Sequence, residues 1–284
     1  MQHLSGFAPL AQRYDGFIVD LWGVLHDGVS TYPGAVDCLA RLKAMGKPAV
    51  LLSNAPRRSY VAQKPLRAMG ITDDLYTGLL TSGEVTWRAL RDRTDPFIAQ
   101  LGRRLYHLGE KADRNVFECL SASYEEVDRL EDADFIVNTG PSAERGLTEV
   151  APYMPTLERA LALGLPMVCA NPDLEVIRGG IHAICAGRLA QVYETMGGRV
   201  RRFGKPDPAV YAPVLEMLAL RRERVLALGD GLRTDIAGAA AAGVDSCWVL
   251  NGIARELRDN LPAAEAEAKA AGLHPVATIP ELVW

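Results

Sequence analysis

Short apolar runs alternate with segments of helical period at both ends of the chain. Residues 17–20 (FIVD) and 48–54 (PAVLLSN) are apolar without alternation, the pattern of strands buried on both faces. Between them Val36, Leu39 and Leu42 recur at helical spacing, with Pro33 near the start and Gly46 as a stop, so a helix is predicted over 33–45. A second helix runs to Met69 and closes at Gly70. The rhythm returns near the C-terminus as helix 207–219, strand 225–230, helix 233–242 closed by Gly243, and strand 246–250. Such alternation implies an α/β fold, a Rossmann-like doubly wound parallel sheet with helices on both faces.

The middle of the chain carries its own elements: strands at 104–109, 134–140, 166–171 and 182–187, and helices over 144–163 and 188–196. Thr81-Ser82-Gly83 and Gly197-Gly198 supply flexible chemistry at its two edges. The expected organisation is a discontinuous core, 1–80 plus 200–284, with an inserted α/β cap over 82–198. The alanine- and charge-rich stretch 261–272 reads as a solvated helix.

Composition narrows the class. With 284 residues, 49% hydrophobic and 23% charged, the chain can bury a dense core. A net charge of −4 argues against a nucleic-acid partner. The basic run Arg199, Arg201 and Arg202 is too short for a footprint and reads as a solvated strand end. The five cysteines form no CxxC pair, which suits buried, reduced thiols better than a disulfide framework or a zinc site. No apolar run approaches the ~20 residues that span a bilayer, and the N-terminus lacks a signal pattern. A soluble, cytoplasmic protein with no membrane partner is expected.

Ligands of open parallel sheets bind beyond the carboxyl ends of the strands. The residues there form a consistent set: Asp20 in DLWGVLHDG, Ser53-Asn54, Lys205 in GKPDP, and Asp230 with Asp235 in GDGLRTD. Three carboxylates in one place repel one another unless a cation joins them, and hard oxygen donors favour Mg²⁺. The lysine adds a point charge for phosphate, and the serine hydroxyl and nearby N–H groups can hold phosphoryl oxygens. An aspartate beside them can attack phosphorus.

In this order the residues resemble the four motifs of the haloacid dehalogenase superfamily: Asp20, then Ser53, then Lys205, then Asp230 with Asp235. A cap between the second and third motifs is similar to class IIA, the NagD-like group with a C2-type cap, as are LLSNAPR, GDGLRTDIAGA and Asn171-Pro172-Asp173. The resemblance implies a nucleophilic Asp20, with Ser53 and Lys205 holding the phosphoryl group. It implies Mg²⁺ held by Asp20, Asp230 and the Trp22 carbonyl, with Asp235 as a further ligand or one step behind. It places substrate binding at Gly23, Asn54, Asn171 and Asp173. It also brings in homodimerisation through the cap, for which no residue pattern here argues.

One position departs from the family. Its phosphatases carry a second aspartate two residues after the nucleophile, as the proton donor to the leaving oxygen; here that residue is Trp22. General acid–base catalysis contributes ~10²–10⁴-fold, so activity is expected to be weak unless another group such as His26 substitutes. The indole itself reads as a plug against the cap or as a stacking platform. GRVRRFGK has the wrong glycine spacing for a phosphate loop, and His107 and His182 read as satisfied polar residues. The expected function is hydrolysis of a small phosphorylated metabolite such as a sugar phosphate or nucleotide. The alternatives are a phosphate-ligand-binding regulatory protein that has lost turnover and, last, a dehalogenase-like hydrolase.

Overall fold

The computed structural model describes residues 1–284. In chain order the strands are β1 (Gln2–His3), β2 (Gly16–Val19), β3 (Ala49–Ser53), β4 (Gly78–Thr81), β5 (Arg104–Leu108), β6 (Glu125–Val127) and β7 (Phe135–Asn138). They continue as β8 (Met167–Cys169), β9 (Glu175–Arg178), β10 (Ile181–Ile184), β11 (Val200–Arg202), β12 (Val225–Gly229), β13 (Asp245–Val249) and β14 (Ala277–Ile279). Seven of them form one sheet in the order β1-β14-β13-β12-β2-β3-β4, and every pairing is parallel. Five form a second parallel sheet, β11-β8-β7-β5-β6, while β9 and β10 make an antiparallel hairpin.

The central strands β2, β3 and β12 are buried at every position, as strands sandwiched between two helical layers must be. One face packs with the helices Ala8–Arg13, Ala35–Ala44 and Ser59–Ala68, around Phe17, Leu39, Leu51 and Leu66. The other packs with Tyr211–Leu218 and Ala237–Ala242, around Ile18, Val50, Val214 and Ala227. Order runs outward through β3 and β4 on one side of β2, and through β12, β13 and β14 on the other. The reversal between β2 and β12 opens the crevice where doubly wound sheets bind ligands.

The second sheet is built by the chain between β4 and β12 and has its own core, with Leu157, Met167 and Leu189 on one face and Leu105, Phe135 and Val168 on the other. It is tied back beside β3, where Arg57 pairs with Asp113 and Arg58 with Glu84 and Glu118. Arg58 also stacks 3.7 Å from the Trp87 ring centre.

Several local expectations are corrected. Thr81-Ser82-Gly83 is no flexible joint: all three residues are buried, and the Thr81 hydroxyl caps the helix Ser82–Asp92 by accepting from the Glu84 N–H. The preceding Gly78–Thr81 run is an unforeseen core strand. β11 belongs to the second sheet, so the chain returns to the first only after Arg202. Of the basic run only Arg199 is an exposed strand end as expected; Arg201 and Arg202 are half-buried and paired, Arg201 with Asp95 and Asp207 and Arg202 with Glu194. The helix expected over 144–163 covers only Met154–Ala162, after a 3₁₀ turn at Ala151–Tyr153. Left-handed glycines at 140 and 146 keep the earlier part irregular. The strand expected at 182–187 becomes the hairpin arm β10, and a helix starts at Ala186. Of the five cysteines, Cys119 is exposed. No helix is long and apolar enough to cross a membrane.

Candidate active site

The carboxyl ends of β2, β3 and β12 meet at the crevice. Asp20 follows β2 directly, and its backbone N–H donates to the Leu228 carbonyl of β12 (2.9 Å), which fixes it against the strand that leads into Asp230. Asp235 lies one turn on, in a wide turn spanning Leu232–Ile236. There its Oδ2 accepts from the Gly231 N–H at 3.1 Å. The carboxylates of Asp20, Asp230 and Asp235 each offer an oxygen within 4.8 Å of the others, and all three are buried. Lys205 arrives from the loop after β11, 3% exposed. Its Nζ donates to Asp20 Oδ1 (2.6 Å), to Asp235 Oδ1 (2.6 Å) and to the Leu52 carbonyl (3.0 Å).

Three carboxylates facing one ammonium leave an excess of negative charge in a low-dielectric pocket. Burial, with the negative charge of Asp235 added and Lys205 opposing, pushes Asp20 up to about 8. Burial and the neighbouring Asp20 and Asp235 hold Asp230 well above the ordinary carboxylate range. Burial also works against a charged Lys205, but Asp20, Asp235 and Asp173 outweigh it and keep the ammonium. Compact, all-oxygen and short of positive charge, this donor set fits a hard divalent cation.

Two glycines make the close approach feasible. A Cβ on Gly23 would fall 1.9 Å from Asp230 Oδ2, and one on Gly252 would fall 2.0 Å from the same atom. Both have φ in the left-handed region. The Ile253 N–H then donates to Asp230 Oδ2 at 2.8 Å. Sequence reasoning missed this third wall; the available signal was Asn251-Gly252, at the end of another apolar strand on the same sheet edge.

Ser53 is 1% exposed at the end of β3, with its Oγ accepting from the Ala55 N–H at 3.2 Å. Asn54 joins three segments. Its Oδ1 accepts from the Lys205 N–H (2.8 Å), and its Nδ2 donates to the Lys205 carbonyl (3.0 Å) and to Asp173 Oδ1 (2.8 Å). Asn171 is a step removed, holding the Asp173 N–H at 2.9 Å. Asp20, Gly23, Asn54, Asp173, Lys205, Asp230 and Asp235 are joined by these contacts and Ser53 follows directly on Leu52, whereas Asn171 shapes the turn that presents Asp173.

Trp22 and His26 lie on the flap after β2. The indole stands edge-to-face on His26 (5.1 Å between ring centres) and rests on Gly28, where a Cβ would meet the ring at 2.1 Å. It packs into the flap and the first core rather than up against the second sheet. His26 is 4% exposed, and its Nδ1 accepts from the Gly28 N–H at 3.0 Å. Burial presses its pKa down to about 4, so the ring is neutral and already engaged. His26 is thus a structural residue of the flap, the reading that its position three residues beyond Gly23 favours over a substitute acid. Gly28→Ala is expected to cost about 1–3 kcal/mol from overpacking alone. Chemical denaturation checks this, and the penalty should shrink in a Trp22→Ala background if the indole is the obstacle.

A parallel doubly wound sheet, an inserted second sheet and an acidic cluster around one lysine define a capped hydrolase class. Residues 17–122 match the haloacid dehalogenase-like hydrolase family, and 202–278 match the HAD-hydrolase-like family. The chain belongs to the haloacid dehalogenase-like hydrolases. It is 28% identical over 243 residues to the ribonucleotide monophosphatase NagD of Escherichia coli, covering 83% of this chain and 87% of that one. It is 30% identical over 251 residues to the D-glycerol 3-phosphate phosphatase of Mycobacterium tuberculosis, covering 86% of this chain and 65% of that one. A haloacid dehalogenase-like hydrolase from Brucella suis superposes with a TM-score of 0.84 at 29% identity, over 99% of this chain and 100% of the other.

Proposed function

We propose that the protein is a Mg²⁺-dependent phosphoric monoester hydrolase acting in the cytoplasm on a small phosphorylated metabolite, a sugar phosphate or a nucleotide. The observation that carries this is the pair of 2.6 Å contacts from Lys205 Nζ to Asp20 and Asp235, beside an Asp230 that lacks a positive partner. Phosphatases among the relatives support the same reading. Asp20, Asp230 and Asp235 would hold the cation, with the Trp22 carbonyl as the backbone donor that the motif implies. Bound there, Mg²⁺ supplies charge neutralisation for the phosphoryl oxygens.

The chain's own groups do the rest. Asp20 Oδ attacks phosphorus, and the bond to the ester oxygen breaks, leaving an aspartyl phosphate for water to hydrolyse. Lys205 and the Ser53 hydroxyl take the phosphoryl oxygens that face them, and Gly23 lets the flap backbone close over the group. A cleft of about 790 Å³ opens beside Asp230 and Asp173, bordered on its far side by Leu257 and Ala271 rather than by Asp20, Ser53 or Lys205, and offers a small metabolite an approach to the carboxylates.

Phosphate release from a panel of phosphorylated metabolites tests this. Release is expected with Mg²⁺ and should fall to background in EDTA. Mg²⁺ should also raise the melting temperature, because a ligand bound only to the folded state stabilises it. Trp22 favours a second reading, a capped protein that binds the phosphorylated ligand without turning it over; tight Mg²⁺-dependent binding with no release would establish that one instead.

A further inference from the structure

We propose that Asp173, presented by the cap, is the general acid and base of this site; the proposal rests on the phosphatase reading above. The flap cannot fill the role. Trp22 has no proton to give at neutral pH, and His26 Nδ1 is occupied by the Gly28 N–H. Asp230 and Asp235 face the cation position, and Lys205, kept as an ammonium between Asp20 and Asp235, is committed to holding the phosphoryl oxygens. The Tyr211 hydroxyl donates to the Asp235 carbonyl (3.2 Å).

Asp173 is the remaining carboxylate held at the crevice by a built contact. It lines the cleft of about 790 Å³ together with Asp230, Gly231 and Thr234. Asn54 fixes one oxygen, Oδ1, through the amide that also clasps both backbone groups of Lys205, whose Nζ reaches Asp20. The carboxyl group is thus referenced to the nucleophile through two side chains, Asn54 and Lys205. Burial pushes it up to about 6, against the pull of Lys205 and the Asn54 hydrogen bond, which suits a group that must both give and take a proton near neutrality. Glu175, Glu194 and Glu267 line the same cleft but are exposed, and Glu194 is committed to Arg202.

The steps balance. As Asp20 Oδ bonds to phosphorus and the phosphorus–ester oxygen bond breaks, the Asp173 carboxyl gives its proton to the departing oxygen and releases an alcohol. The Asp173 carboxylate then takes a proton from water as that water's oxygen bonds to phosphorus, freeing Asp20 and inorganic phosphate. Because the acid rides on the cap, it is in place only when the cap is seated.

The test is Asp173→Asn, assayed in Mg²⁺ on p-nitrophenyl phosphate and on the best alkyl phosphate of the panel. An aryloxide leaves without protonation and an alkoxide does not, and kcat/KM reports the step in which the ester bond breaks. The variant should lose about 10²-fold or more in kcat/KM on the alkyl ester and at least tenfold less on the aryl ester, as removal of a general acid predicts. Phosphorylated Asp20 should accumulate, because the base for hydrolysis is gone too. Trp22→Asp should recover the alkyl ester in the Asp173→Asn background and add little to the wild type. Equal losses on both esters would mean that Asp173 only positions Asn54, and the proposal would be overturned. A second measurement needs no variant: wild-type kcat/KM over a series of aryl and alkyl phosphates should depend weakly on leaving-group acidity, and a steep dependence overturns the proposal as well. If the wild type hydrolyses neither ester, it is the phosphatase reading that fails.

Discussion

Asp20→Asn should abolish phosphate release, with a loss on the order of 10⁴-fold or more, the scale on which removal of a nucleophile is felt. The amide cannot bond to phosphorus and return as a leaving carboxylate, so no partial bypass is expected from Ser53, whose oxygen already accepts from Ala55. The fold should tolerate the change. Asp20 is buried among like charges, and the neutral amide relieves repulsion while Lys205 keeps Asp235 as its partner. Turnover on p-nitrophenyl phosphate together with the melting temperature checks both halves. A variant that is folded, binds Mg²⁺ and still turns over at a tenth of the wild-type rate would remove Asp20 from the chemistry.

Lys205→Ala should produce the largest loss of stability of any single change in the site. The ammonium is 3% exposed and lies 2.6 Å from two buried carboxylates, so its removal strands Asp20 and Asp235 beside Asp230 with no positive charge. Breaking one side of a buried ion pair costs about 3–5 kcal/mol, because the surviving charge keeps its desolvation penalty. The loss should be greatest in EDTA and smaller with Mg²⁺, which restores a counter-charge to the same carboxylates. Urea denaturation with and without the metal measures the difference. A loss that ignores Mg²⁺ would mean that the cation and the lysine do not share the three carboxylates.

Much of the architecture was legible in the chain. The runs FIVD, PAVLLSN and VLALGD announce fully buried strands because parallel strands between helical layers have no polar face. Their final residues point to the site because ligands gather at strand ends, so Asp20, Ser53 and Asp230 could be named from position alone. Less was legible where local pattern is thin. Gly78–Thr81 is short and follows a turn, and its burial comes from pairing with β3 and from Leu79 and Leu80 entering the cores on the two faces of the sheet. The three-residue strand β11 is rich in arginine, and the sequence does not say that Asp95, Asp207 and Glu194 wait to neutralise it.

The site divides the same way. The chain by itself determined which residue types are present: a nucleophilic carboxylate, two more acids, a lysine, and a tryptophan where an acid is expected. These are covalent facts that no folding can alter. Only the tertiary structure decided how they are wired, because each contact joins segments far apart in sequence. Asn54 is bound to Lys205 and Asp173, Gly252 is pressed on Asp230, and His26 is sealed by the turn at Gly28. Proton affinity follows from burial and neighbouring charge rather than from residue type. That is why His26, apt by its ordinary pKa, is silenced in the flap, while Asp173, which the sequence marks only as a substrate-binding residue of the cap, has a carboxyl group raised by burial to about 6.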